Sequence, residues 1–94
     1  MQNYIQKIQE LLDIELGGKG SINESLLGIY ALLVLVIGEN CTNEDVHDAW
    51  SVWSNVLDPK HRSLIPFNEL TKEVQDLDEP YKQAIIKVAK LIKS

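Results

Sequence analysis

The chain has 94 residues, 45% of them hydrophobic, so it is long enough for one small domain with a single core and too short for two. Its net charge of −5 argues against binding to duplex nucleic acid, which requires a marked basic face. Cys41 is the only cysteine, so no internal disulfide can form. The longest apolar run, residues 26–37, is shorter than the roughly 20 residues that cross a bilayer, so we expect no membrane contact. We expect a cytoplasmic protein without a cofactor.

The N-terminal segment predicts an amphipathic helix over residues 3–16. A glycine-rich turn at residues 17–20 ends it. The apolar positions that recur at helical spacing are Tyr4, Ile5, Ile8, Leu11, Leu12 and Leu16. This helix and the next form a predicted pair within residues 1–40.

The second predicted helix is apolar on nearly all sides. Ser21 or Asn23 can cap it, and Gly38 follows at the position where left-handed backbone commonly ends a helix. Residues 26–37 contain no charged side chain, and a helix without a polar face has to be enclosed by its own fold or by another subunit. We therefore expect a homo-oligomer that forms through residues 26–37.

Helix-start and helix-stop signals predict a third helix between Thr42 and Leu57. Thr42 can act as the N-cap with Asp45 in the first turn, and the pair Asp58-Pro59 ends the helix. The predicted inward-facing positions are Val46, Ala49, Trp50, Trp53 and Leu57. Next, Pro66 disfavours helical backbone at the residue before it, which predicts an extended loop, and Phe67 begins a single turn.

The C-terminal part predicts a short helix and a long one. Thr71 can cap the short helix, which runs to Leu77, and Asp78 can cap the long one over residues 79–92. The inward-facing positions of the long helix are Tyr81, Ala84, Ile85, Val88 and Ile92. The predicted fold is all-α, with four main helices, one short helix and a proline-ordered extended loop after the third helix.

Aromatic and cationic side chains concentrate after residue 43 and suggest a ligand site. Trp50 or Trp53 could stack on a base or a similar flat ring, and the adjacent cationic loop could bind phosphate by charge-assisted hydrogen bonds. The candidate ligand-binding residues are His47, Trp50, Trp53, Lys60, His61, Arg62 and Tyr81.

Each candidate also has a structural interpretation. Trp53 lies on the inner stripe of its helix and fits a role in the core. His47 fits a polar residue at the rim of its helix, and the loop Lys60-His61-Arg62 fits a solvated turn. The pattern alone leaves both interpretations open.

The order and spacing of these residues resemble the RyR domain, the repeated module of ryanodine receptors. The resemblance is carried by His47-Asp48-Ala49-Trp50, by Lys60-His61-Arg62-Ser63-Leu64-Ile65-Pro66-Phe67-Asn68-Glu69-Leu70, and by Asp78 eight residues later. It makes residues 43–92 a RyR-like region, with Arg62 where that family usually has Pro. The resemblance implies a phage or prophage protein that binds a nucleotide-derived signal.

The leading hypothesis is a non-enzymatic module that binds and sequesters a nucleotide-derived immune signal, such as a cyclic oligonucleotide or an ADP-ribose derivative. The alternative is an acidic protein-interaction module that inhibits a host defence protein or scaffolds a phage assembly. Catalytic residues are not expected, because His47 and His61 stand in no nucleophile pattern. A metal site is not expected either, because no ligand pair occurs at short spacing.

Overall fold

The computed structural model describes residues 2–18, 20 and 22–93, and within them the chain forms five α-helices and no strand. The helices are α1 (Tyr4–Glu15), α2 (Glu24–Val36), α3 (Asn43–Leu57), α4 (Lys72–Asp76) and α5 (Glu79–Lys93). Short 3₁₀ turns occupy Gly38–Asn40 and Phe67–Glu69. The predicted all-α fold with four long helices and a short one is confirmed.

Side-chain caps begin the helices near the predicted positions. At α3 the Thr42 hydroxyl accepts the Asp45 N–H at 3.1 Å, and the Asp45 carboxylate accepts the Thr42 N–H at 2.9 Å. These two bonds satisfy N–H groups that have no partner inside the helix. At α2 the Asn23 side chain accepts the Ser25 N–H, and at α4 the Thr71 hydroxyl accepts the Val74 N–H, each as a single bond, whereas the other candidate for α2, Ser21, lies outside the described residues.

Three helices build the core and a fourth covers one side of it. α1, α2 and α5 pack against one another, and α3 lies against α2 and α5. The N-terminal pair therefore shares one core with the rest of the chain. The buried residues are Ile8, Leu12, Leu27, Tyr30, Ala31, Leu33, Val34, Cys41, Val46, Ala84, Ile85, Val88 and Ala89.

Residues at the ends of two helices and on the outer face of α2 are more exposed than the sequence predicted. Leu57 is 65% exposed and Ile92 is 39% exposed, because each lies in the last turn of its helix. On α2 the enclosure is incomplete, since Leu32, Leu35 and Val36 remain exposed on one face. No helix in the described part of the chain combines the length and the apolar character needed to cross a membrane.

Gly38→Ala is expected to lower the stability of the fold, whereas Gly28→Ala is expected to raise it. Gly38 has φ +65°, where an added Cβ meets ordinary contacts at 3.7 Å, so Gly38→Ala should cost about 1–2 kcal/mol through the left-handed backbone alone. Gly28 lies inside α2, and its added Cβ would meet the side-chain amide nitrogen of Gln9 at 3.2 Å, a tight contact that a shift of a few tenths of an ångström at the end of this long side chain relieves. Gly28→Ala should therefore add about 0.5–1 kcal/mol through helix propensity.

Urea denaturation of the two variants and the wild type measures both effects. The slope of the free energy of unfolding against urea should stay constant, so that the midpoints report stability. A Gly38→Ala protein as stable as the wild type would contradict the left-handed conformation at the end of α2.

Candidate functional site

A cavity of about 310 Å³ opens between α2, α3, α4 and the first turn of α5, and the loop after α3 closes one side. Its wall combines aromatic and aliphatic side chains with a few polar groups. The residues that line it are Leu26, Tyr30, His47, Trp50, His61, Ser63, Val74, Leu77, Asp78 and Tyr81. This size is at the lower end of the roughly 300–1,000 Å³ of small-molecule pockets.

Trp50 contacts both histidine rings of the wall. His47 precedes it by three residues on α3, which places both on one face of the helix, and their ring centroids lie 5.9 Å apart in a stacked arrangement. The His61 ring meets Trp50 at 5.0 Å, edge to face. These two contacts position the indole, which remains only half-buried.

The opposite wall carries two tyrosines from different helices. Tyr30 of α2 is 2% exposed, and its ring centroid lies 5.6 Å from that of Tyr81 in the first turn of α5. Burial, and after it the nearby Tyr81 and Asp78, raise the pKa of the Tyr30 hydroxyl far above its ordinary value. Tyr30 is therefore a neutral hydroxyl at physiological pH, able to donate or accept a hydrogen bond.

Backbone hydrogen bonds fix the two histidines. The Nε2 of His47 donates to the Ile65 carbonyl at 2.7 Å, which holds the extended loop against α3. The Nδ1 of His61 accepts the Ser63 N–H at 3.0 Å. Because Nδ1 is an acceptor, a neutral His61 ring carries its proton on Nε2 and offers a donor there. His47 is 4% exposed, so it is an anchored wall residue and not a rim residue.

Among the described residues of the cavity wall, Asp78 is the only one with a carboxylate. Its backbone carbonyl accepts the Lys82 N–H at the start of α5, but no described residue donates a hydrogen bond to its side chain. Burial raises the pKa of the Asp78 carboxyl above its usual range, and the nearby His47 partly offsets that effect. The predicted helix-start position is correct, and the carboxylate itself belongs to the cavity.

The family comparison covers nearly the whole chain. A family model described as a domain of unknown function, DUF7701, matches residues 3–90. The chain belongs to the DUF7701 family. No curated protein and no solved structure is significantly similar to it.

Membership of the DUF7701 family corrects the resemblance to RyR repeats, which was wrong. No RyR repeat family matches the chain, and the DUF7701 match spans the N-terminal helices and the later region together. The resemblance rested on short segments around Pro66, and in this fold that segment has a structural role. Its Ile65 carbonyl binds His47, and the Gln75 amide binds the following turn through the Phe67 carbonyl at 2.9 Å.

The cavity brings together some of the predicted site residues of this DUF7701 chain. His47, Trp50, His61 and Tyr81 line it. The remaining three, Trp53, Lys60 and Arg62, do not, and the two cationic side chains among them are exposed.

Sequence reasoning missed six of the ten wall residues, among them Tyr30 and Asp78. Tyr30 is the only polar side chain between residues 26 and 37, which is a signal that could have singled it out. Asp78 was noted as a helix cap and as a position of the RyR resemblance, and neither reason pointed to a ligand contact. Within the described residues no group of three metal-ligating side chains comes together.

Replacing Asp78 by Asn is expected to stabilise this DUF7701 fold at neutral pH. A carboxyl whose pKa is raised on folding binds its proton more tightly in the folded state, so its ionisation at pH 7 lowers stability. The gain for Asp78→Asn should be at most about 1 kcal/mol, the size of other single stabilising changes. It should shrink as the pH falls through the raised pKa of Asp78 and vanish below the unfolded pKa of about 3.9, where the carboxyl is protonated in both states.

Thermal denaturation of wild type and variant between these pH values measures the difference. Asp48→Asn, at an exposed position of α3, is the matched control and should leave the melting temperature nearly unchanged. An Asp78→Asn protein that is less stable than the wild type at pH 7 would show that the carboxylate has a structural partner.

Proposed function

We propose that the chain is a non-enzymatic binding module that holds the flat ring of a nucleotide-derived small molecule in the cavity beside Trp50. The observation that carries the proposal is the convergence of aromatic rings from three helices and a loop on one opening. Trp50, Tyr30, Tyr81 and His61 supply ring surface, while Asp78 and the histidines supply a small number of polar groups. Small-molecule sites commonly have this composition.

The volume of the cavity limits the size of the ligand that it can enclose. A volume of about 310 Å³ has room for one ring system and not for a whole dinucleotide. A larger nucleotide-derived molecule would leave its remaining parts outside, near the loop that carries the exposed Lys60 and Arg62. The narrower expectation of an immune signal rested on the RyR resemblance and is not part of this proposal.

The arrangement of possible nucleophiles supports binding over catalysis. Both histidines use a ring nitrogen in backbone hydrogen bonds, and no described hydrogen bond joins the Ser63 hydroxyl to either ring. The Ser51 hydroxyl lies 3.4 Å from the Nε2 of His47, but that nitrogen donates its proton to the Ile65 carbonyl and so is not placed to take a proton from the serine. Burial raises the pKa of the Cys41 thiol to about 11, so the thiolate that would act as a nucleophile is scarce at neutral pH. A module of this kind acts by holding its ligand, as a sequestering protein or a sensor does.

A thermal-shift and calorimetric panel tests the proposal. Nucleoside monophosphates of all four bases, cyclic dinucleotides and ADP-ribose are titrated into the full chain. Because a ligand that binds only the folded state raises stability by mass action, at least one class should raise the melting temperature in a concentration-dependent way. The absence of both stabilisation and heat from every member at millimolar concentration would contradict the proposal.

A second candidate function is self-association through the outer face of α2. Leu32, Leu35 and Val36 are exposed there at helical spacing, and residues 25–38 carry no charge. On a chain of net charge −5, two copies can meet at this face without bringing carboxylates together. Light scattering would report a dimer or larger oligomer that Leu35→Glu dissociates and Val56→Glu, at an exposed position of α3, leaves intact.

A further inference from the structure

The charges of the cavity indicate which part of a nucleotide enters it. Among the residues that the structure describes, no Lys or Arg side chain lines the cavity, and the one charged group of fixed sign at neutral pH in its wall is the Asp78 carboxylate. A phosphate would meet an uncompensated negative charge in a partly buried site, which is unfavourable. The phosphate of a bound nucleotide therefore stays outside, and the base enters.

The hydrogen-bonding groups of the cavity indicate which edge of the base faces inward. The Asp78 carboxylate accepts no hydrogen bond from any described residue, and an ionised carboxylate has two oxygens that only accept. A ligand that covers it has to provide donors, because a partly desolvated carboxylate left without donors is costly. Two parallel N–H donors satisfy both oxygens at once, and such bidentate pairs are among the stronger hydrogen bonds.

We propose that the cavity selects guanine over adenine, with the guanine N1–H and 2-amino group donating to the two oxygens of Asp78 while the ring packs against Trp50. This inference rests on the proposed function and adds the identity of the base to it. Adenine would place its N1 lone pair against the carboxylate beside a single amino donor, so one attractive contact would be opposed by a repulsive one. Hypoxanthine keeps N1–H but lacks the 2-amino group, and therefore binds with intermediate affinity.

Calorimetric titration with guanosine, inosine and adenosine 5′-monophosphates tests this selection on the full chain. The expected order of affinity is guanosine, then inosine, then adenosine, with about tenfold or more between the first and the last, since a bidentate contact discriminates between bases at that level. Asp78→Asn should lower the affinity for the guanosine nucleotide by about the same factor and leave the adenosine nucleotide unchanged or better bound. Asp48→Asn is the matched control and should retain the wild-type order.

The outcomes separate failure of this inference from failure of the proposed function. Equal affinities for the three nucleotides, or tighter binding of the adenosine nucleotide, would overturn the guanine selection while the nucleotide-binding module stands. An Asp78→Asn protein that still binds the guanosine nucleotide more tightly than the adenosine nucleotide, by the wild-type factor, would also overturn the guanine selection. Binding of choline that depends on Trp50, with no response to any nucleotide, would overturn both, because it would identify the rings and the carboxylate as a site for an organic cation.

Discussion

Leu12→Ala is expected to destabilise the fold by about 3–5 kcal/mol, one of the larger effects that a single substitution should have on the stability of this chain. Leu12 is fully buried on α1, and α1 packs against both α2 and α5. Removing three carbon atoms there leaves a cavity that neighbours from three helices would have to fill. A domain of this size has a total stability of only about 5–15 kcal/mol, so the substitution would remove a large share of it.

The measurement is chemical denaturation followed by circular dichroism, with a melting curve as the second probe. A loss of 3 kcal/mol should lower the melting temperature by about 15 °C or more in a domain of fewer than 100 residues. Leu57→Ala is the matched control, since it removes the same atoms at a position that is 65% exposed, and it should stay within about 0.5 kcal/mol of the wild type. Equal losses in the two variants would contradict the three-helix core.

Leu57 also shows which parts of the fold could be predicted from the sequence. Helix starts and ends depend on local chemistry, so the cap at Thr42 and the left-handed Gly38 could be recognised from residue types alone. Burial of a helical face depends on whether another element reaches that far. Leu57 continues the inner stripe of α3, yet in the last turn it has no neighbour that covers it, and Ile92 of α5 differs from its prediction for the same reason.

Four members of the candidate site, His47, Trp50, His61 and Tyr81, were chosen by residue type, but their spatial relation could be predicted only where two of them share one helix. His47 and Trp50 lie three residues apart on α3, so their common face followed from helical spacing. The approach of Tyr30 from α2 and Tyr81 from α5 depends on tertiary packing, for which one sequence carries no direct signal. Arg62 was chosen for its charge, but its neighbour His61 is the residue of that loop that meets Trp50, at 5.0 Å.

The outer face of α2 illustrates a different limit on what can be predicted from one sequence. The sequence correctly indicated a helix with no polar face, and the exposed Leu32, Leu35 and Val36 confirm that the other helices do not enclose it. Whether a second copy covers this face is a property of the assembly and depends on concentration. The cavity lies on a different side of α2, beside Tyr30, so self-association and ligand binding can be measured independently.

Trp50→Ala is expected to remove most of the affinity for a nucleotide, whereas Trp53→Ala should leave it nearly intact. Stacking of a base on an aromatic side chain is worth about 1–3 kcal/mol, which corresponds to about 5- to 150-fold in the dissociation constant. Trp50 lines the cavity and Trp53 does not, although both lie on α3 and both are half-buried. Truncating either indole removes a similar amount of side chain, so a difference between the variants reports the position of the site and not a general loss of stability.

The two variants also carry their own spectroscopic reporter, because the chain contains only these two tryptophans. In Trp53→Ala the remaining indole is Trp50, and its fluorescence should change as guanosine 5′-monophosphate stacks on it. In Trp50→Ala the remaining indole is Trp53, whose fluorescence should not respond at the same nucleotide concentration. Circular dichroism at the titration temperature ensures that both proteins are folded. A response from Trp53 in the absence of Trp50, with affinity retained, would show that the ligand binds on another face of α3 and that the cavity beside Tyr30 is not the site.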